Sequence, residues 1–363
     1  MKVKNESYQK FLDLKSEYER TTDYEKLEGD IRRALQERKR RRVTRRILAW
    51  SSSAAAVLAV GAVLLWEYTG SPRVQAVKTS VSIAEAPQGE EVQDKVILVM
   101  ADGKRVNMTE MRQDSMTLGT ATVMGEEGRI IYASDRTQTD SLQPEHLEMN
   151  RVIIASGGLY SLQLSDGSRV WLNSETEMEY PVLFGRGERV VKLSGEAFFE
   201  VAPDAARPFI VEANGIRTRV LGTSFNIKAY RNETNISTTL FTGKVQVSAE
   251  ADSTRSVLLT PGKQADWNRE SGQMRVSKAN LEHTLAWKEG LFLFNKENIE
   301  VVSRQIERWY GVKFIYETGE KTDYTFNGYF SKDETLVSIL EAFTFAGGPV
   351  FEIKGEVVYV KNK

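Results

Sequence analysis

From residue 95 to residue 264, hydrophobic and polar residues alternate in short runs separated by turns. Clear runs are 96–100, 160–164, 189–193 and 244–247. A period of two predicts half-buried strands, and Asp-Gly pairs between such runs are typical of hairpins. No helical period of useful length appears in this part of the chain. We therefore predict an all-β domain with a solenoid- or sandwich-like architecture.

One hairpin pattern occurs twice in this region. Residues 98–106 align with residues 162–170 at a constant offset, and both stretches share Leu, Asp, Gly, Arg and Val at matching positions. A repeated hairpin predicts a stacked, solenoid-like arrangement. A chance match of common hairpin chemistry explains the similarity equally well, so both explanations stay open.

The pattern changes after Gly290 to a mixture of strands and amphipathic helices. Strands are predicted at 291–294, 312–316 and 324–329, with a final hairpin over 350–360. Ile299, Val302, Ile306 and Trp309 fit one helix face that ends at Gly311. Ser331–Glu334 reads as a capping box for a second helix with Leu336, Ile339, Leu340 and Phe343 on its apolar face. The order β-α-β-β-α-β-β predicts a two-layer α+β domain.

A run of twenty uncharged residues, 47–66, lies near the start of the chain. As a helix it spans about 30 Å, the thickness of a bilayer's hydrocarbon core. The basic stretch 38–46 precedes it, and this asymmetry places the N-terminus in the cytoplasm. We predict a single transmembrane helix. The alternatives are a buried core helix and a cleaved signal peptide, and for the basic stretch a nucleic-acid patch.

The segment before this run shows two weak apolar stripes. Tyr8, Phe11 and Leu12 form the first stripe, and Leu27, Ile31 and Leu35 form the second. So short a segment cannot bury a core of its own. We therefore predict an amphipathic helix pair that binds a partner protein through these six residues. A solvated juxtamembrane stalk is the alternative.

The expected fold class is a membrane-anchored multidomain protein. Its predicted parts are a short helical cytoplasmic segment (1–46), one transmembrane helix (47–66), a periplasmic tether (67–94), an all-β domain (95–268), a linker (269–289) and a C-terminal α+β domain (290–363).

The charge distribution fits this division of the chain. The formal net charge is −1, but residues 1–46 carry 15 Lys/Arg against 9 Asp/Glu, and the remainder is acidic. A near-neutral total argues against a dedicated nucleic-acid binder. The chain has no Cys and two His, His146 and His283, which excludes thiol nucleophiles and Cys-based zinc sites. We expect no metal and no cofactor.

Candidate catalytic residues are few. Glu196 and Glu200 are the most suggestive pair for general acid–base chemistry, because a spacing of four puts both on one face of a strand. Nothing else supports a sugar-cleaving cleft. The alternative is a mostly solvent-facing strand face opposite Phe199 and Val201.

Seven blocks occur in order along residues 157–262: Gly157-Gly158-x-Tyr160, Leu164–Asn173, Tyr180-Pro181, Leu193–Ala202, Pro208-Phe209-x-Val211, Val220–Asn226 and Leu259-x-Pro261-Gly262. Three more occur near the end of the chain: Phe292-x-Phe294-Asn295, Arg308-x-Tyr310-Gly311-Val312 and Gly328-x-Phe330. Through the first set, residues 157–262 resemble the FecR family of membrane signal transducers. Through the second, the end of the chain resembles the C-terminal domain of FecR proteins from Bacteroidota.

The resemblance implies an inner-membrane anti-sigma factor or sigma regulator. Its cytoplasmic segment would bind an extracytoplasmic-function sigma factor. Its periplasmic part would receive a signal from a TonB-dependent outer-membrane receptor, at a site within residues 290–363. The family often has a longer cytoplasmic domain than the segment here, so inhibition, activation and tethering of the sigma factor all stay open.

Some family members also cleave themselves at a Gly-Thr bond, and Gly222-Thr223 occupies that motif here. A hydroxyl next to a strained glycine carbonyl is a plausible nucleophile. A tight turn that needs the conformational freedom of glycine explains the pair equally well. Beyond self-cleavage, no enzymatic activity is expected.

Two other classes of function compete with the transducer. One is a membrane-anchored periplasmic module that binds glycan or peptidoglycan without signalling. The other is a periplasmic hydrolase. Amphipathic helices inside the cell would have no use in a glycan-binding anchor, and hydrolysis requires a polar cleft that the sequence does not indicate.

Overall fold

The computed structural model describes residues 95–108, 115–118, 121–126, 129–133, 147–252, 254–316 and 323–361. The predicted cytoplasmic segment 1–46, the run 47–66 and the predicted tether 67–94 all lie outside these residues.

The predicted fold class is wrong as a description of this structure. The described residues form mostly β-strands with three helices, and none of these helices is long and apolar enough to cross a membrane. The longest helix among the described residues has 12 residues and spans about 18 Å.

The β-domain, residues 95–278, contains eighteen described strands. In chain order they are β1 Val96–Val99, β2 Arg105–Asn107, β3 Ser115–Leu118, β4 Ala121–Glu126, β5 Arg129–Ala133, β6 Met149–Ile154, β7 Tyr160–Gln163, β8 Arg169–Leu172, β9 Thr176–Pro181, β10 Arg189–Glu200, β11 Phe209–Ala213, β12 Ile216–Val220, β13 Ser224–Ala229, β14 Asn235–Thr242, β15 Val245–Ala249, β16 Ser256–Leu259, β17 Lys263–Asn268 and β18 Gln273–Lys278.

These strands form two sheets that share β10. The first sheet has the order β2-β1-β6-β9-β10-β11-β12-β15-β16. The second has the order β3-β4-β5-β7-β8-β10-β13-β14-β17-β18. Neighbouring strands are antiparallel except β10–β11 and β5–β7. Side chains from both sheets pack into one hydrophobic core.

Strand β10 passes from the first sheet to the second at Gly195. Residues before it pair with β9 and β11, and residues from it onward pair with β8 and β13. Gly195 has φ +123°, and a Cβ here would lie 2.4 Å from Thr176 Oγ1. Only glycine fits at this crossing, because an L side chain would meet both an unfavourable backbone conformation and a neighbouring strand.

A buried ion pair fixes the β7–β8 hairpin against β10. Arg189 Nη1 lies 2.6 Å from Asp166 Oδ2, and both side chains are almost fully buried. The same guanidinium donates to the backbone carbonyls of Arg207 and Ala202. These extra hydrogen bonds offset the cost of removing both charges from water.

The duplicated hairpin pattern marks two turns of the same geometry. Gly103 and Gly167 have φ +85° and +86°. In each turn the preceding aspartate accepts a hydrogen bond from the backbone N–H two residues on, at 2.9 Å. One hairpin, β1–β2, belongs to the first sheet and the other, β7–β8, to the second. The sequence match therefore reflects a shared turn chemistry.

The C-terminal domain, residues 281–361, contains the three helices and five strands. They are α1 Leu281–Leu285, β19 Leu291–Asn298, α2 Ile299–Tyr310, β20 Lys313–Tyr316, β21 Thr325–Ser331, α3 Leu336–Phe345, β22 Val350–Lys354 and β23 Val357–Lys361. From β19 onward the order is the predicted β-α-β-β-α-β-β. Strands β19 and β21 form one antiparallel pair, and β20-β23-β22 form a second small sheet.

Helix α2 begins and ends as the sequence predicts. The Asn298 side chain accepts a hydrogen bond from the N–H of Glu300, and Gly311 closes the helix with φ +69°. Ile299, Val302 and Ile306 are buried in the core of the C-terminal domain. That core is separate from the core of the β-domain.

The predicted start of helix α3 is wrong by four residues. Strand β21 extends through Ser331, which pairs with Leu291. The residue that caps the helix is Thr335, whose side chain accepts from the N–H of Ser338. Ser331 instead caps a turn, in which its hydroxyl accepts from the N–H of Asp333. The Ser-x-x-Glu pattern cannot distinguish these two uses, because both satisfy a free backbone N–H.

Candidate functional site

The outer face of the second half of β10 is the most unusual surface of the β-domain. Glu196, Phe198 and Glu200 lie on it, opposite Phe199 and Val201, as the strand period predicts. The expectation that this face is mostly solvent-facing is wrong. Glu196 is 9% exposed and Phe198 4%, because the C-terminal domain packs over this face.

Three cations of the C-terminal part reach this covered face, and we call them the three-cation contact: Lys288, Arg308 and Lys332. Lys288 Nζ lies 3.7 Å from the ring centre of Trp171 and 4.6 Å from that of Phe198. The same atom lies 3.8 Å from a carboxylate oxygen of Glu200. A desolvated ammonium held by two aromatic rings and a carboxylate is a favourable cation–π arrangement.

Arg308 makes the second connection. Its Nη1 lies 2.9 Å from Glu233 Oε1, and its guanidinium lies 4.1 Å from the ring centre of Tyr230. Burial alone would raise the pKa of Glu233, but the Lys228 and Arg308 cations outweigh burial and hold this pKa below its usual value. The backbone also takes part, since the N–H of Gly157 donates to the carbonyl of Arg308 at 3.2 Å.

Lys332 makes the third connection, and its charge is the least compensated. Its Nζ donates to Asn173 Oδ1 at 3.2 Å and lies 4.3 Å from the ring centre of Trp309. Burial lowers the pKa of Lys332 to about 8, against the opposing effect of the Glu196 carboxylate. A buried lysine without a close carboxylate partner disfavours its own protonated form.

Glu196 is held by amides rather than by a cation. Its two carboxylate oxygens accept hydrogen bonds from Asn173 Nδ2 at 3.0 Å and from Asn226 Nδ2 at 3.1 Å. Asn173 therefore links Glu196 to Lys332. The β-domain contributes the carboxylate, and the C-terminal domain contributes the ammonium group. Glu200 pairs instead with Arg169 and Lys288.

This geometry does not support the acid–base interpretation of Glu196 and Glu200. Each carboxylate is already bound by its own partners, and the two are not arranged around a shared substrate position. Of the two histidines, His283 lies 3.4 Å from Glu297 within the C-terminal domain. His146 lies outside the described residues.

A cavity of about 230 Å³ remains between the two domains beside the three-cation contact. Its floor is the polar outer face of the second sheet, and its opposite wall comes from α1, β19, α2 and the loop that carries Lys332. No group of side chains suited to a metal ion occurs among the described residues.

The Gly222-Thr223 pair lies between β12 and β13. Gly222 has φ +152°, which favours glycine. Thr223 is buried, and its hydroxyl oxygen has no hydrogen-bond partner among the described residues. The structure thus contains the positive φ that the turn explanation of this motif requires.

The six predicted sigma-binding residues, Tyr8 to Leu35, lie outside the described residues. Conversely, the hydrophobic pattern did not indicate the three-cation contact. Arg308 lies off the apolar face of α2, and its one signal in the sequence was its place in the block Arg308-x-Tyr310-Gly311-Val312.

The site is therefore a contact between two domains, built from cation–acid and cation–aromatic pairs. Residues 150–246 match the family model described as FecR protein, and residues 291–360 match the model described as FecR, C-terminal. The chain thus carries the two domains of the FecR family, and the resemblance seen in the sequence is confirmed.

Two crystal structures of a proposed anti-sigma factor from Parabacteroides distasonis are similar to this chain. Each has 28% sequence identity and a TM-score of 0.54, and the match covers 59% of this chain and 99% of the other. No curated protein matches the chain. Together with the two FecR domains, these structures support a regulatory role that acts on a sigma factor.

We predict that Lys332 makes the stability of the protein depend on pH. Because its pKa is lower in the folded state, the unfolded chain binds more protons at this site between about pH 8 and pH 10.5, and stability rises with pH in that range. Chemical denaturation of the wild type and of Lys332→Met should show the wild type gaining about 1 kcal/mol relative to the variant from pH 7 to pH 9.

The exposed Lys354 provides the control, since Lys354→Met should follow the wild type at both pH values. An equal response of the wild type and Lys332→Met to pH would contradict the buried, weakly compensated charge.

Proposed function

We propose that this protein regulates an extracytoplasmic-function sigma factor in response to a TonB-dependent outer-membrane receptor. The observation that carries the proposal is the pair of FecR domains, docked on each other through the three-cation contact. The similarity to a proposed anti-sigma factor supports the sigma factor as the partner. The receptor rests on the sequence resemblance alone.

In this proposal the sigma factor binds the N-terminal segment. Tyr8, Phe11 and Leu12 form one apolar stripe, and Leu27, Ile31 and Leu35 form the other. Two amphipathic helices with exposed apolar faces are suited to a hydrophobic groove on a partner protein. The sign of the regulation is not part of the proposal.

A pull-down with residues 1–46 against the sigma factors of the cell tests this partner. We expect one sigma factor to bind, and Phe11→Asp and Ile31→Asp each to abolish binding, because each puts a charge on one apolar stripe. Glu6→Gln serves as a control that leaves both stripes intact. Retention of no sigma factor by the wild-type segment would contradict the proposal and favour the envelope binding module.

We place receptor binding on the C-terminal domain, at the free edge of β22. Among the described strands, β22 pairs with β23 only. Two apolar side chains lie close to this edge in sequence, Phe345 at 95% exposure and Val350 at 39%. An added strand would supply backbone hydrogen bonds, and the exposed phenyl ring would supply an apolar anchor.

Calorimetric titration with the purified signalling domain of the receptor tests this docking. Phe345→Asp should weaken binding about tenfold or more, with unchanged thermal stability, because this side chain makes little contact within the protein. Leu258→Asp, an exposed apolar residue of the β-domain, is the matched control and should bind as the wild type does. Crosslinks that map to the β-domain instead would refute the docking.

We also propose self-cleavage at Gly222-Thr223. The Thr223 hydroxyl oxygen would attack the Gly222 carbonyl carbon, the C–N bond would break to leave an ester and a free amine, and water would hydrolyse the ester. The unpartnered hydroxyl and the positive φ of Gly222 support this step.

The β-domain would lie in the periplasm at the inner membrane, with the N-terminal segment in the cytoplasm.

Immunoblots of Thr223→Ala and Thr223→Ser in fractionated cells test both points. The wild type and the serine variant should give fragments 1–222 and 223–363, and the alanine variant only the intact chain, because it lacks the nucleophile. The fragment 223–363 should occur in the envelope fractions. Intact chain alone in the wild type would rule out self-cleavage, and cytoplasmic FecR domains would rule out the location.

A further inference from the structure

The cavity between the two domains has a lining that neither the fold nor the three-cation contact explains. Its floor carries amide, carboxylate and hydroxyl groups, including those of Asn226, Glu196 and Ser237. The opposite wall carries the rings of Trp287, Phe292 and Trp309. Clefts at domain interfaces with apolar walls and a few polar groups are the usual form of a small-molecule site.

Two buried polar atoms of the residues that line this cavity have no hydrogen-bond partner among the described residues. One is a donor and the other is an acceptor. Trp287 is 7% exposed, and its Nε1–H donates to no group among the described residues. Asn226 is 2% exposed, and its Oδ1 accepts from no group among those residues, although its Nδ2 donates to Glu196. One site thus offers an unused donor and an unused acceptor, and leaving either unsatisfied is costly.

Two side chains of this cavity that already form hydrogen bonds can form additional ones. Each oxygen of Glu196 accepts one described hydrogen bond and has a second lone pair free. Lys332 has three N–H donors, of which one donates to Asn173. Hydroxyl groups suit this mixture best, because each one both donates and accepts.

The aromatic wall narrows the class of ligand. Trp287 would contact the apolar C–H face of a ring, while the polar floor would bind its hydroxyl edge. A flat aromatic ligand without hydroxyl groups would leave Asn226 Oδ1 without a donor. The cavity volume, about 230 Å³, lies near the lower end of the range for ligand pockets, which suits a single small ring.

We propose that this cavity binds one saccharide ring, held between Trp287 on the C-terminal domain and Asn226 on the β-domain. A ligand that touches both domains binds the docked arrangement better than the separated one and therefore favours docking. Its effect on the sigma factor rests on the proposed function, whereas the binding itself does not.

The full chain is screened by thermal unfolding with four probes, D-glucose, D-galactose, N-acetyl-D-glucosamine and myo-inositol, each at about 20 mM. We expect at least one sugar to raise the melting temperature, since a ligand of the folded state stabilises it by mass action. Calorimetry then gives the dissociation constant of that sugar. Failure of all three sugars to shift the melting temperature overturns the proposal.

Variants locate the site. Trp287→Phe keeps an aromatic ring but removes the N–H, and should weaken sugar binding about three- to tenfold. Trp267→Phe, a tryptophan of β17 away from the cavity, is the matched control and should leave affinity unchanged. Gln305→Ala, on the cavity wall of α2, provides a second test that does not disturb the buried core, and should also weaken binding.

Equal affinity in the wild type, Trp287→Phe and Gln305→Ala would place the sugar elsewhere and refute the site. These measurements involve no sigma factor, so their outcome is separate from that of the pull-down. Preferential binding of myo-inositol over every sugar would also contradict the saccharide assignment.

Discussion

The burial of three cations on one face of a β-sheet is the interaction on which this arrangement of domains depends. Lys288, Arg308 and Lys332 come from three different elements, and each meets a different polar or aromatic partner on the β-domain. Desolvated charges tolerate little displacement, because each loses its partner within a few ångströms. The contact therefore defines one docked orientation of the C-terminal domain, which the separate apolar cores of the two domains do not specify.

The face that receives these cations exists because β10 serves both sheets. Gly195 lets the strand cross, so its second half lies at the centre of the second sheet with Ala197 and Phe199 in the core. Glu196, Phe198 and Glu200 must then point away from that core. Without the C-terminal domain, this face would expose the Phe198 ring to water beside two carboxylates of like charge. The C-terminal domain covers the face and supplies matching cations and aromatic rings.

This contact is specific without being strongly hydrophobic. Each domain has its own apolar core, so the two do not need each other to bury their main hydrophobic surfaces. Polar interfaces between domains permit relative motion more readily than large apolar ones. Burial of the Lys332 charge lowers the net stability of this contact, whereas its hydrogen bond to Asn173 helps to define the docked orientation. Such an interface is suited to transmitting a binding event from one domain to the other.

The local elements follow from the amino-acid pattern. The period of two predicted the strands, Asp102-Gly103 and Asp166-Gly167 predicted their hairpins, and the helix over 299–310 followed from its apolar face and Gly311. These features depend on interactions between near neighbours, which the sequence displays directly. Three features became apparent only in the folded chain: β10 joins two sheets, Ser331 belongs to strand β21 and not to a helix cap, and Glu196 is covered. Each of these results from contact between residues far apart in the chain, and a buried Lys332 has the same residue type as a solvated one.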